Sequence, residues 1–168
     1  MEIKTKHAQN VSSDLVYVPQ KARNACGTIA LFHILLNFTE FLVIQSDSLM
    51  SRILEKTKKM TQTQLSEYFG TNNLIKKIHD KLAPIGATDV NTTNSSGDSE
   101  LSGTENHFTA FISKKDHLYE LDGRRGGAID HGYLDSDLTE KVFKIVQQLV
   151  DESNKLIKFS LLSFYIKY

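Results

Sequence analysis

Apolar positions change their spacing along this chain, and each change marks an element. Residues 1–13 are polar and aperiodic, the pattern of a flexible leader, so ordered structure is expected to start near Leu15. Leu15-Val16-Tyr17-Val18 is a short apolar run stopped by Pro19, which suits a strand or an extended lead-in. A polar turn from Gln20 to Gly27 delivers the chain into Thr28-Ile29-Ala30-Leu31-Phe32-His33-Ile34-Leu35-Leu36. That run is too apolar for a surface helix and predicts a buried central one, with Cys26 near its N-terminus. Between Ser46 and Leu82 apolar residues recur at helical spacing: Leu49 with Ile53, Leu65 with Phe69, then Leu74, Ile75, Ile78 and Leu82. Two or three packed helices follow.

Between 85 and 105, 15 of 21 residues are Gly, Ser, Thr, Asn or Asp, a composition that cannot build a core and predicts a mobile loop. Beyond it the period becomes two. Phe108, Ala110 and Ile112 alternate along one run and Tyr119 and Leu121 along the next, predicting a hairpin closed by Ser113 to Asp116. A four-residue turn there pairs Ile112 with His117 and sets His107 directly opposite Asp122. Arg124 to Asp135 is Gly-rich and reads as loop. Asp137, with Glu140 three residues on, resembles a capping box and opens a helix through Val142, Ile145, Val146, Leu149 and Val150. Ile157 to Ile166 reads as a final strand. No internal repeat or domain boundary is visible, so residues 1–168 are expected to form a single domain interrupted by the long loop.

The length, 168 residues, suits one packed core. With 20 basic and 20 acidic residues the formal charge is zero, which argues against nucleic acid or an anionic membrane as partner. No apolar stretch approaches the roughly 20 residues that span a bilayer, and no secretory signal is visible, so the cytoplasm, or the nucleus, is the expected compartment. A single cysteine excludes an intramolecular disulfide and any multi-cysteine metal site. His107, His117, His131, Asp122 and Asp130 could be drawn as a metal cluster, but no ligand spacing supports one. Arg124-Arg125-Gly126-Gly127 lacks the strand-to-helix context of a phosphate loop, so its glycines read as turn residues.

The candidate chemistry lies in Cys26, His107, Asp122 and Gln20. A helix N-terminus and a neighbouring imidazole each favour thiolate over thiol, which creates a nucleophile near neutral pH. Asp122 could hold the tautomer of His107 and stabilise its imidazolium. Gln20, six residues before Cys26, could offer its side-chain amide to an oxyanion alongside the Cys26 backbone N–H. The plain alternatives are Cys26 as a small buried hydrophobe, His107 and Asp122 as a cross-strand pair, and Gln20 as a solvated turn residue. Composition and spacing leave both sets open.

Asn24-Ala25-Cys26-Gly27-Thr28-Ile29-Ala30-Leu31-Phe32-His33 resembles the nucleophile segment of the ubiquitin C-terminal hydrolases, a family of cysteine-dependent deubiquitinating peptidases. Gln20 stands where that family places its oxyanion-hole glutamine, and His107-Phe108 resembles its histidine segment. His117-Leu118-Tyr119-Glu120-Leu121-Asp122-Gly123-Arg124, followed by His131-Gly132, is similar to the segment around its aspartate. The resemblance covers roughly residues 15–168. It implies an α+β, papain-like cysteine hydrolase fold with a central antiparallel sheet flanked by helices, and a crossover loop at 85–105. It also implies no cofactor, an acyl-enzyme on Cys26, and ubiquitin or a ubiquitin-like modifier as partner, small adducts being cleaved from the C-terminal glycine. It assigns no oligomeric state. In one respect the chain departs from the pattern: 25 residues precede Cys26, where family members usually carry several tens more. The expectation is therefore an N-terminally truncated member, either a thiol hydrolase or, as the alternative, a ubiquitin-binding or regulatory protein with little turnover.

Overall fold

The computed structural model describes residues 11–21, 25–82, 107–153 and 160–163. The buried central helix is α1, Cys26–Asn37. Its apolar residues divide between two partners. Ile29, Phe32 and Leu36 pack with Val18, Ile53, Leu65, Phe69 and Ile75, and Ala30 and Ile34 pack on Tyr17, Ala110, Ile112, Tyr119 and Leu121. The spacings 29-32-36 and 30-34 are two stripes of one helix, so α1 is filled from both sides. The lead-in before it buries Leu15, Tyr17 and Val18 and half-buries Val16, but joins no strand ladder. It is held by α1 side chains instead: Asn37 Oδ1 accepts from Val16 N–H at 2.8 Å, Asn37 Nδ2 donates to Val16 O at 2.7 Å, and His33 Nε2 accepts from Val18 N–H at 2.9 Å.

The helical stretch resolves into three helices, α2 Leu49–Thr57, α3 Gln62–Thr71 and α4 Asn73–Leu82. Each start has a chemical cause. Ser48 caps α2, Thr61 and Gln64 form a reciprocal capping box on α3, and Asn72 Oδ1 accepts from Leu74 and Ile75 N–H at the start of α4. Phe32 of α1 meets Phe69 of α3 with ring centroids 4.5 Å apart.

The sheet is a meander in the order β1-β2-β3, with β1 Ala110–Lys114, β2 His117–Leu121 and β3 Ile129–Tyr133. Two expectations are corrected here. The hairpin turn has two residues and not four: Lys115 and Asp116 both adopt positive φ, 49° and 60°, so Ile112 pairs with Tyr119 and Lys114 with His117. A primed turn without glycine leaves little trace in a sequence. The resulting register shift is two residues, an even number, so every side chain keeps its face and His107 reaches Asp122 diagonally instead of directly opposite. The second correction is β3, which occupies part of the stretch read as loop. It pairs antiparallel with β2, with a bulge between His117 and Tyr119 and Gly132 at φ +83°. Helix α5, Leu138–Ser153, follows, and Asp137 Oδ1 accepts from Thr139 N–H at 2.9 Å and Glu140 N–H at 3.2 Å, which is half of the expected box; Glu140 Oε1 accepts from Lys144 Nζ instead. Of the expected final strand, 160–163 carry no regular element and the rest lies outside the described residues, as do 1–10 of the leader and the loop at 85–105.

His33, fully buried and stacked on Tyr17 with centroids 5.3 Å apart, ties the lead-in to α1 as a neutral imidazole. Burial pulls its pKa down to about 4 from 6.5. An unfolded chain takes up this proton first, so His33 leaves stability intact above about pH 6.5 and removes it as pH falls toward 4. Urea melts between pH 7 and pH 4.5 should show a loss of about 2 kcal/mol at about 1.4 kcal/mol per pKa unit, and His33→Gln should flatten that dependence. A parallel fall in both proteins would refute the assignment.

Candidate active site

Cys26 is the first residue of α1 and is 5% exposed. Ala25 precedes it as N-cap without a side-chain capping bond, and the first turn carries no acidic residue, so the positive end of the helix is left to whatever lies beside the cysteine. His107 and Phe108 come in just before β1. The Phe108 ring lies against Gly27, its Cδ2 3.4 Å from where a Gly27 Cβ would stand, which brings the residue after His107 onto the residue after Cys26.

His107 Nε2 is 2.8 Å from Asp122 Oδ1. With Nε2–H donating to the carboxylate, Nδ1 keeps its lone pair and can act as a base. Asp122 follows β2 directly and is 7% exposed. Its Oδ1 also accepts from Arg124 N–H at 2.9 Å, and Arg125 Nε lies 3.5 Å from Oδ2. The carbonyl of Asp122 accepts from Arg125 N–H and from Tyr17 Oη, each at 2.9 Å. Burial, and then the charge of Asp122, push the Tyr17 phenol up to about 12, so it stays a donor throughout the neutral range.

Gln20 is fixed on the same side. Its backbone N–H donates to Gly123 O at 2.7 Å, placing it beside the residue that follows Asp122. The structure thus brings His107 and Asp122 into direct contact, and joins Cys26 and Gln20 to that pair through their neighbours Gly27 and Gly123. Sequence reasoning gave no site role to Tyr17, Glu120, Arg125 or His131; Tyr17 and Arg125 touch Asp122, Glu120 pairs with Arg125, and His131 pairs with Glu120. Their one visible signal is the alternation that puts Glu120 and Asp122 on one side of the extended chain. Among the described residues no group of three or more His, Cys, Asp or Glu is placed to hold a metal ion, and no helix is long and apolar enough to cross a membrane. The arrangement sets an imidazole–carboxylate pair near a helix start that bears a cysteine and leaves its first N–H groups without partners inside the helix.

A family model described as ubiquitin carboxyl-terminal hydrolase, family 1, matches residues 1–151. A probable ubiquitin carboxyl-terminal hydrolase of Dictyostelium discoideum is 30% identical over 169 residues, covering 99% of this chain and 64% of that protein. Ubiquitin carboxyl-terminal hydrolase isozyme L1 of Homo sapiens is 28% identical over 160 residues, covering 95% of this chain and 67% of its own length. The chain thus spans about two thirds of the relatives it matches. Among solved structures, the Trichinella spiralis UCH37 catalytic domain bound to ubiquitin vinyl methyl ester superposes with a TM-score of 0.62 at 20% identity, covering 86% of this chain and 60% of that one. The fold is the α+β, papain-like one of that domain.

Gly123 has no room for a side chain: a Cβ would meet Ile29 Cγ2 at 2.7 Å, Gln20 Cβ at 3.0 Å and Val18 O at 3.2 Å. Gly123→Ala should cost about 1–3 kcal/mol by overpacking, whereas Gly127→Ala, where nothing lies within 4 Å, should not share that cost. Denaturant titrations of the two variants check the contrast, and equal stabilities would contradict it.

Proposed function

The chain belongs to the ubiquitin carboxyl-terminal hydrolase family 1, and on that premise we propose that it is a cysteine-dependent hydrolase that releases small adducts from the C-terminal glycine of ubiquitin. The observation that carries the reading is the bond of 2.8 Å between His107 Nε2 and Asp122 Oδ1, next to the helix start that bears the chain's one cysteine. In this reading residues 1–168 act as a single catalytic domain.

Each residue then has one task. His107 Nδ1 takes the thiol proton of Cys26, and Sγ attacks the carbonyl carbon of the ubiquitin C-terminal glycine. The oxyanion is met by the Gln20 side-chain amide and the Cys26 backbone N–H. Asp122 holds the imidazolium, which gives its proton to the leaving amine as the C–N bond breaks and a thioester forms on Cys26. Water, deprotonated by His107, then splits the thioester and the thiol returns. The comparison with a ubiquitin-bound domain supports ubiquitin as the acyl donor. A lone cysteine that must remain a thiol fits a reducing compartment, the cytosol or nucleus.

Ubiquitin carrying a C-terminal fluorogenic amide tests the reading. The chain should hydrolyse it, Cys26→Ala should abolish turnover, and Gln20→Ala should lower kcat by about 10²–10³ if its amide is an oxyanion donor. Ubiquitin vinyl methyl ester should label the parent protein and not Cys26→Ala. Saturable ubiquitin binding without hydrolysis or labelling would identify a binding protein instead, and a Cys26→Ala variant as active as the parent would overturn the mechanism.

A further inference from the structure

The Asp122 carboxylate is one end of a longer chain of charged groups. Arg125 Nε faces Asp122 Oδ2 at 3.5 Å and Arg125 Nη2 reaches Glu120 Oε1 at 3.2 Å. Glu120 Oε2 in turn lies 2.9 Å from His131 Nε2 on β3. Glu120 is 5% exposed, and a carboxylate so buried is strongly unfavourable unless it is paired. Glu120 on β2 and Asp122 just after it stand two residues apart, which puts them on one side of the extended chain, where their like charges favour turning away from each other. The guanidinium between them puts one nitrogen on each, a bridge that its planar fork can make and an ammonium cannot. The backbone fixes Arg125 for this role: its N–H donates to Asp122 O at 2.9 Å, and Tyr17 Oη lies within hydrogen-bond reach of the carbonyls of both Asp122 and Arg125, which share its one O–H.

We propose that Arg125, anchored by Glu120 and through it by His131, is a positioning residue: it pins Asp122 Oδ2 so that Oδ1 stays aimed at His107 Nε2. Its kinetic consequence rests on the hydrolase reading, but its structural consequence, the orientation of the His107 ring, does not.

The experiment pairs kinetics with proton NMR of the His107 Nε2–H, assigned by its loss in His107→Gln. Arg125→Met should lower kcat about tenfold, the scale on which partners of first-sphere groups act, with KM unchanged because neither Asp122 nor Arg125 is assigned a contact with bound substrate. Arg125→Lys should recover only part of that loss. In an Asp122→Asn background Arg125→Met should cost nothing more, since its effect runs through the carboxylate. The Nε2–H resonance should move upfield or broaden in Arg125→Met, and in Glu120→Gln, the second variant should Arg125→Met fail to fold. An unchanged resonance and kcat in a folded Arg125→Met, or the same loss with and without Asp122, would overturn the proposal. A parent protein without activity would sink the hydrolase reading alone, and the resonance would still decide the positioning role.

Discussion

Three segments meet at Gly123, and they can do so only because it lacks a side chain. Val18 O, Gln20 Cβ and Ile29 Cγ2 all stand within 3.2 Å of where its Cβ would be. The lead-in that carries Gln20, the helix that starts at Cys26 and the end of the strand that delivers Asp122 are therefore brought to one point by backbone approach. Every group assigned to the chemistry except His107 lies within a few residues of that junction. A methyl group there would push apart the elements that carry Gln20, Cys26 and Asp122.

The junction holds because α1 is packed from both sides. Its two apolar stripes join the helical layer of α2 to α4 to the sheet, so α1 cannot rotate to move Cys26 without emptying one core or the other. The odd-numbered residues Tyr119 and Leu121 of β2 serve that core, while the alternate residues Glu120 and Asp122 carry buried charge. The end of this strand thus supplies packing from its odd-numbered residues and buried charge from Glu120 and the Asp122 that follows, while Leu118 is buried further back on the even-numbered side. The cost of burying two carboxylates is offset by Arg125, His107, His131 and a backbone N–H. Polar groups held this way have one low-energy arrangement, which suits a carboxylate whose task is to hold an imidazole still.

How much of this the residues declared in advance varies with the physics at each place. Helix α1 was legible because an unbroken apolar run after a polar turn has few other solutions, and α5 because Asp137 and Glu140 mark its start. His107 and Asp122 were paired correctly from a register that is itself wrong by two residues, since alternation depends only on parity. The turn escaped because both its left-handed positions lack glycine: Lys115 and Asp116 stand where sequence rules look for Asn-Gly or Asp-Gly. Strand β3 escaped because Gly126, Gly127 and Gly132 signal a loop, while its pairing with β2 is a tertiary preference that no local window contains. Arg125 was readable as a turn residue only, because the partner that gives it meaning, Glu120, lies across that turn.

The four candidate groups also differ in how firmly they are held, and the difference fits the tasks proposed for them. Cys26 and Asp122 sit at the ends of a packed helix and a central strand, and Gln20 is bonded through its backbone to Gly123. His107, Phe108 and Thr109 instead precede Ala110, the first paired residue of β1, so His107 is placed by side-chain contacts: its own bond to Asp122 and the seat of Phe108 on Gly27. A nucleophile and an acid are needed in one position throughout a hydrolytic cycle. A base that takes a proton from sulfur, gives it to an amine and then takes another from water must serve three partners in turn. Holding that ring by one bond at Nε2, with its main chain outside the ladder, leaves Nδ1 free to reach each of them while the tautomer stays fixed.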